Sequence, residues 1–216
     1  MKNIVILSIV LLLNLLSSCT EDPIIGSDDL TSEFRNVGSF TKFSSEGVFE
    51  VMITQGNSQS VEIIANENII HKVKTIVINN ELRLFLDDDN NYKNVNLKAN
   101  IIVPNMNSIR NFGDGNILAL NIDNENFNVD NSGSGDIRIE GNTQSLTLKN
   151  EGSGKFEGFL FAVNDSDINI IGSGDCHINC ANNLNVRIEG SGDVYYIGSP
   201  IIEADISGSG KIVNAN

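Results

Sequence analysis

The sequence predicts an all-β protein folded as a parallel β-helix, and three observations lead to this prediction. A Gly-Ser-Gly turn recurs at nearly constant spacing, alternating apolar and polar residues flank each turn, and residues 113–216 show no uninterrupted helical periodicity. A fixed period indicates one supersecondary unit per repeat. Stacked repeats place each strand beside its own copy one coil later, about 4.8 Å away, and so form parallel sheets.

The Gly-Ser-Gly turns are expected to form one corner of every coil. A looser copy, Gly113-Asp114-Gly115, comes first, and successive first glycines are then 20, 19, 20, 18 and 18 residues apart. Glycine suits such a corner because it accepts positive φ and lets neighbouring backbones approach closely. The predicted structural turns contain Gly133 and Gly135, Gly152 and Gly154, Gly172 and Gly174, Gly190 and Gly192, and Gly208 and Gly210.

Apolar columns on both sides of the corner predict the core. Before the first glycine, apolar residues recur in steps of two, as in Leu146 and Leu148, which is the period of a half-buried strand. Asn131 and Asn150 interrupt the column two residues before the glycine and predict stacked inward amides with a structural role. Four residues after the glycine, a second strand is predicted by Ile137, Phe156, Cys176, Val194 and Ile212.

Mostly charged residues stand directly after the corner. They are Asn116 and then Asp136, Lys155, Asp175, Asp193 and Lys211. In register they form a ladder of mostly opposite charges, whose main expected role is to fix the stacking, since exposed pairs contribute about 0–1 kcal/mol each. Asp175 beside Asp193 is the one like-charged step and could attract a cation. Alternation with lysine argues against a calcium-binding roll, so neither a metal site nor a cofactor is predicted.

The start of the chain predicts export and membrane attachment. Residues 1–18 combine a basic start with an apolar run too short to span a membrane, as in a signal peptide. The run ends in Leu16-Ser17-Ser18-Cys19, which resembles a bacterial lipobox, so Cys19 is the expected lipidation site and anchor. An ordinary signal followed by a chance cysteine is the alternative. Residues 19–33 are predicted to be a flexible tether.

Residues 34–216 are predicted to form a single β-helix domain. Residues 34–112 alternate like strands but lack the Gly-Ser-Gly signature, as expected of irregular N-terminal coils and a cap, because terminal repeats must cover an open end. Residues 113–216 carry the regular coils. The final strand has no evident cap, and exposed strand edges invite pairing. Either a covering loop or a homodimer through the end strands is therefore expected.

Composition disfavours two kinds of ligand. With a formal net charge of −14 and a pI near 4.4, the chain lacks the basic face that nucleic acid requires. Aromatic residues make up 6% of the chain and tryptophan is absent, which argues against a sugar site built on stacked rings.

Three local clusters could carry chemistry, and each also has a structural interpretation. The cysteines of Cys176-His177-Ile178-Asn179-Cys180 would share one face of a strand at a distance of roughly 13 Å, whereas a disulfide needs Cα atoms within about 7 Å. Buried free thiols are favoured, with a bent disulfide or a metal site including His177 as alternatives. His71 is expected at the surface. Asp87-Asp88-Asp89 is expected to be a solvated loop, with a divalent ion as the alternative.

The chain resembles the autotransporter-adhesin head GIN domain family, which has lipoprotein members in Bacteroidetes. The resemblance rests on the opening at residues 40–51, on Ile78-Asn79-Asn80-Glu81-Leu82 and on the serial Gly-Ser-Gly turns, and it covers nearly all of residues 37–213. It implies a right-handed β-helix of pectate-lyase shape, with the glycine turns between its sheets. It also implies no known catalytic residues and an adhesive role.

These observations predict a non-catalytic lipoprotein that contacts an unknown protein or glycan through its flat sheet faces. The expected location is the outer membrane, held by the lipid on Cys19. Thr20-Glu21-Asp22 is similar to an acidic export signal of Bacteroidetes lipoproteins and favours the cell surface, with the periplasmic leaflet as the alternative. Two other functions stay open: a polysaccharide-active enzyme of pectate-lyase shape, and a periplasmic structural or envelope-signalling accessory. The enzyme would need acids with arginine or lysine clustered on one sheet face, and the repeats place none in register.

Overall fold

The computed structural model describes residues 22–87 and 91–216. The signal peptide predicted at residues 1–18 and the lipidation site predicted at Cys19 lie outside the described residues, as do two carboxylates of the predicted acidic loop. Asp87, the third, lies 3.5 Å from the ammonium of Lys74. Within the described part of the chain, no helix is long and apolar enough to cross a membrane.

The described residues form seventeen β-strands and one short 3-10 helix, Ile70–Lys72. The strands before the regular coils are β1 (Ile24–Ile25), β2 (Leu30–Phe34), β3 (Lys42–Ser45), β4 (Glu50–Gln55), β5 (Ser60–Asn66), β6 (Val73–Ile78), β7 (Glu81–Leu86), β8 (Tyr92–Lys93), β9 (Leu97–Val103) and β10 (Ser108–Asn111). The remaining strands are β11 (Ile117–Asn131), β12 (Ile137–Asn150), β13 (Phe156–Ile170), β14 (Cys176–Ile188), β15 (Val194–Ile197), β16 (Ile201–Ile206) and β17 (Ile212–Asn214).

The predicted parallel β-helix is confirmed, with about 5 turns of stacked coils. We call the strands that directly follow a glycine corner the forward face, and those that directly precede one the return face. The forward face runs in the order β9, β4, the first halves of β11 to β14, β15 and β17. The return face runs in the order β7, β3, β10, the second halves of β11 to β14, and β16.

The core lies between the two faces and consists of stacked columns of alternate side chains. One column, formed by Ile137, Phe156, Cys176 and Val194, is in direct register across four coils, and each member is fully buried. This confirms the column predicted four residues after the glycine. Alternation places every second side chain of a strand in the interior, so the sequence period of two becomes a continuous apolar core.

The glycine corners stack in register along one edge of the β-helix, as predicted. A Cβ atom built on any of the first glycines from Gly113 to Gly208 would lie 1.8–2.0 Å from the carbonyl oxygen of the glycine one coil earlier. The column begins earlier than the sequence suggests, because Gly113 stacks on Gly47. The expected positive φ is wrong for these corners: close backbone approach is what requires glycine there, while positive φ occurs at Gly47, Gly141 and Gly198.

Asparagine amides support the corner from inside. Asn111, Asn131 and Asn150 are fully buried and stand in register. The Nδ2 atoms of Asn131 and Asn150 donate to the carbonyls of Gly135 at 3.0 Å and Gly154 at 2.9 Å, respectively. The predicted inward amides are therefore present, and they bind the second glycine of the turn.

The residues after the corner fix the register by a route that differs from the predicted charge ladder. Asp136 accepts a hydrogen bond from the backbone N–H of Lys155 at 2.7 Å, and Asp193 accepts one from that of Lys211 at 2.8 Å. Among the described residues, no ion pair joins these side chains. The like-charged step is explained in the same way, because Asp175 accepts from the backbone N–H of Asp193 at 3.0 Å.

The N-terminal part of the sheet is irregular and continuous with the regular coils. β9 is inserted between β4, to which it is parallel, and β5, to which it is antiparallel. β2 and β6 add further antiparallel pairings, to β5 and β7. β4 and β10 pair directly with β11, so the same sheet continues into the regular coils.

The tether predicted for residues 19–33 is wrong for much of its length. β1 pairs with β8, and β2 pairs antiparallel with β5. Asn68 and Asn66 donate their side-chain amides to the carbonyls of Ile25 at 2.8 Å and Ser27 at 2.5 Å, respectively. Backbone pairing and amide contacts hold this segment with little apolar burial, so no hydrophobic pattern could reveal it.

The last strands lie at the end of the stack. β16 pairs with β14, and β17 pairs with β15; within the described residues neither has a second neighbour. Asn216 bonds both to the N–H of Gly198 at 2.8 Å and to its carbonyl at 2.9 Å. The homodimer through the end strands stays a prediction.

Candidate binding site

The outer sides of the two sheet faces differ in chemistry. The return face carries charged side chains, and several of them are paired: Lys149 with Glu151 and Arg187 with Glu189, each at 2.9 Å. Arg110 likewise contacts Glu81 with two hydrogen bonds. The forward face exposes apolar and aromatic groups instead, among them Leu160, which is 60% exposed. An exposed apolar group on an otherwise polar protein indicates an interaction surface.

Three aromatic side chains from successive coils meet on the outside of the forward face. The rings of Phe159 and His177 are stacked, with centroids 4.8 Å apart and an interplanar angle of 8°. His177 meets Tyr195 edge to face at 5.1 Å. Parallel stacking brings the three together because each is 18 residues from the next. We call Phe159, Leu160, His177 and Tyr195 the aromatic platform.

A bulge in β13 makes this arrangement possible. Gly158 is opposite Ile178, but Ala162 is opposite Asn179, so β13 has three more residues than β14 at this point (four steps against one). Gly158 accommodates the bulge: a Cβ there would lie 2.5 Å from the Phe156 ring and 2.9 Å from a backbone oxygen. Phe159 and Leu160 are thereby directed outward.

The bulge is anchored in the core on its far side. Phe161 is fully buried and packs edge to face on Phe127, with ring centroids 5.6 Å apart. The backbone therefore returns to the interior directly after Leu160. This anchor allows an outward bulge to stand on a closely packed coil.

A shallow cavity of about 230 Å³ opens beside the platform. It is lined by Arg138, Glu157, Phe159, Leu160 and His177. Arg138 stands directly opposite Glu157 in the sheet, and its guanidinium contacts Glu140 at 2.7 Å. The Glu157 carboxylate has no hydrogen bond or ion pair with any other described residue. The cavity thus combines an apolar wall with a donor and an available acceptor.

Tyr195 is oriented by its own strand. Its hydroxyl donates to Asp193 at 3.3 Å, and the negative charge of Asp193 raises the pKa of the tyrosine. The ring therefore stays protonated at neutral pH and keeps its edge toward His177.

The cysteine cluster is structural, as favoured from the sequence. Cys176 and Cys180 are buried free thiols. Burial raises the pKa of both, which keeps them protonated and unreactive. His177, their neighbour in sequence, points outward into the platform, and its position there is a finding that the metal alternative did not anticipate. No cluster of three or more potential metal-ligating side chains occurs in residues 22–87 and 91–216.

The other predicted residues are not gathered at the platform. His71 is exposed on the 3-10 helix, as expected. The predicted glycines line the corner beside the forward face. Composition argued against stacked rings, yet register concentrates three ring side chains at one place. The equal spacing of Phe159, His177 and Tyr195 was the available sequence signal.

The fold and this surface define a β-helix with an exposed aromatic platform on one sheet face. The chain belongs to the family described as "putative auto-transporter adhesin, head GIN domain", whose model matches residues 39–200. The resemblance inferred from the sequence is thereby confirmed. No curated protein matches the chain in sequence.

Solved structures of similar shape come from gut bacteria. A "putative adhesin" from Bacteroides fragilis superimposes with a TM-score of 0.75 at 24% identity, covering 88% of this chain and 99% of that one. A "putative adhesin" from Parabacteroides merdae gives a TM-score of 0.55 at 18% identity, covering 91% and 100%. A "putative lipid binding protein" from Parabacteroides distasonis gives 0.53 at 16%, covering 90% and 100%. At these identities the likeness shows a common fold.

Proposed function

We propose that this protein is a non-catalytic adhesin of the cell envelope, which binds a partner through the aromatic platform of its forward face. The observation that carries the proposal is the outward bulge of Phe159 and Leu160 beside His177. Strand geometry alone would leave this face pleated and regular, whereas the bulge presents two large apolar side chains to solvent. Membership of an adhesin family supports the same conclusion.

The energetic argument concerns the exposed leucine. Leu160 is 60% exposed, and its burial by a partner would remove apolar surface from water. Contacts at the centre of an interface usually contribute most of the binding energy, and aromatic residues and arginine are enriched among them. The platform places these residue types together on a supporting sheet.

The adhesive role is tested by Leu160→Asp. Beads coated with the full-length protein are expected to adhere to epithelial cell monolayers, and the variant to lose at least about 10-fold of this adhesion, because a carboxylate must then be buried at the contact. Counting retained beads under flow measures the effect. Ile76→Asp is the matched control, since Ile76 is an exposed apolar residue (42%) of β6, at the edge of the return face. Equal losses in both variants, or none in either, would contradict the proposal.

Attachment to the outer membrane through a lipid on Cys19 belongs to the same proposal. Several acyl chains at about 0.8 kcal/mol per buried CH₂ hold a protein firmly at a membrane. Either the cell surface or the periplasmic leaflet fits this anchor, and the acidic residues after Cys19 favour the surface.

Labelling of growing cells with radioactive palmitate tests the anchor. The wild-type protein is expected to incorporate label and to sediment with membranes, whereas Cys19→Ser is expected to do neither. Cys180→Ser serves as the control for loss of a cysteine, and should retain both label and sedimentation. An unlabelled wild-type protein would refute lipidation, and protease treatment of intact cells then distinguishes surface from periplasm.

A further inference from the structure

We propose that the cavity beside the platform binds one pyranose ring of an uncharged glycan. This inference rests on the proposed function, because it names the ligand class for the same face. Its five lining residues come from strands β12, β13 and β14, which are adjacent and in register. The cavity is therefore built by the sheet itself.

The apolar wall fits one side of a sugar ring. Phe159, Leu160 and the stacked ring of His177 contribute it. A pyranose carries C–H groups on its ring faces and hydroxyls around its edge, so it can pack against rings while its edge stays polar. Ligand sites in general combine such apolar walls with a few placed polar groups.

The polar residues distinguish a sugar from an apolar protein side chain. Arg138 supplies N–H donors, and Glu157, opposite it in the sheet, supplies carboxylate acceptors. Adjacent sugar hydroxyls both donate and accept, so they can bond to the two residues together. An apolar side chain would instead cover the Glu157 carboxylate without a partner, which is costly.

Charge and volume narrow the class further. Arg138 is accompanied by Glu140, with which it pairs, and by Glu157, so the local charge is net negative. The whole chain is also acidic, at −14. Anionic sugars are disfavoured on both counts. A cavity of about 230 Å³ that is open to solvent accommodates a single ring, and so small a contact predicts weak binding by each site.

The test measures saturation-transfer NMR on the full-length protein in detergent, with three probes: methyl β-glucopyranoside, methyl β-galactopyranoside and N-acetylneuraminic acid. At least one neutral glycoside is expected to bind with a Kd of about 1–10 mM. Phe159→Ala should weaken this at least about 10-fold through loss of the wall, and Glu157→Gln several-fold. Phe112→Ala is the control, because Phe112 is also exposed (42%) but lies at a glycine corner outside the cavity.

The outcomes separate this inference from the adhesive role. Absence of binding by both neutral glycosides up to about 50 mM, while Leu160→Asp still abolishes cell adhesion, would overturn the sugar site and leave the adhesin in place. Preference for N-acetylneuraminic acid would overturn the uncharged class. Loss of sugar binding in Phe112→Ala equal to that in Phe159→Ala would remove the assignment to this cavity. Neutral-sugar binding that depends on Phe159 supports the inference even if the adhesion assay fails.

Discussion

Gly152→Ala is expected to destabilise the β-helix by at least about 3 kcal/mol. The added Cβ would lie 1.8 Å from the carbonyl oxygen of Gly133 in the coil before, and 2.8 Å from its carbonyl carbon. Both are backbone atoms, so no side-chain rotation can relieve the overlap. The two coils would have to separate at the corner, and the bond from the Gly154 N–H to the Gly133 carbonyl would weaken with them.

Urea unfolding followed by circular dichroism measures this loss. Gly38→Ala is the matched control, because no heavy atom lies within 4 Å of the position of its added Cβ. That variant should match the wild-type midpoint within a few tenths of a kcal/mol. If Gly152→Ala were as stable as Gly38→Ala, close approach of the backbones could not be the reason for glycine at the corner.

Asn131→Asp is expected to be the next most disruptive change, at about 3 kcal/mol or more at neutral pH. Asn131 is fully buried, and its amide donates to the carbonyl of Gly135 at 3.0 Å. An ionised aspartate has no donor, so two oxygens would face each other in the interior. Its Oδ1 atom already lacks a hydrogen-bond partner among the described residues, so nothing there would compensate the charge.

The pH dependence gives this prediction a second observable. Burial favours the neutral acid, so the folded variant has a raised aspartate pKa, while the unfolded chain ionises near about 3.9. The unfolded state then binds fewer protons above that pH, and stability falls as the pH rises. Urea midpoints for the variant should therefore drop between pH 4 and pH 7 relative to wild type. The control Asn128→Asp, exposed on the same strand, should show little such drop.

Local patterns were sufficient for the fold and its corners. The period of two identifies which side chains enter the core, and the recurring glycines identify where each coil turns. Both patterns repeat, so errors in one coil are corrected by the next. The column of Ile137, Phe156, Cys176 and Val194 was predicted in full for this reason.

The irregular part of the molecule could not be derived in this way. β9 enters between β4 and β5 although it follows both in sequence, and β2 is held mainly by backbone hydrogen bonds. Backbone bonds are available to any residue except proline, so such pairing has no compositional signature. The tether prediction was wrong because it relied on such a signature.

The sequence by itself determined that this chain would wind into stacked coils with glycine at one corner, because alternation and repetition are properties of neighbouring residues. Only the tertiary structure decided what lies on the outside. The length of the β13 bulge sets whether Phe159 meets His177, and the stacking register decides whether Arg138 stands opposite Glu157. Both depend on how separate coils align, since side chains 18 to 20 residues apart become neighbours only after the backbone has stacked.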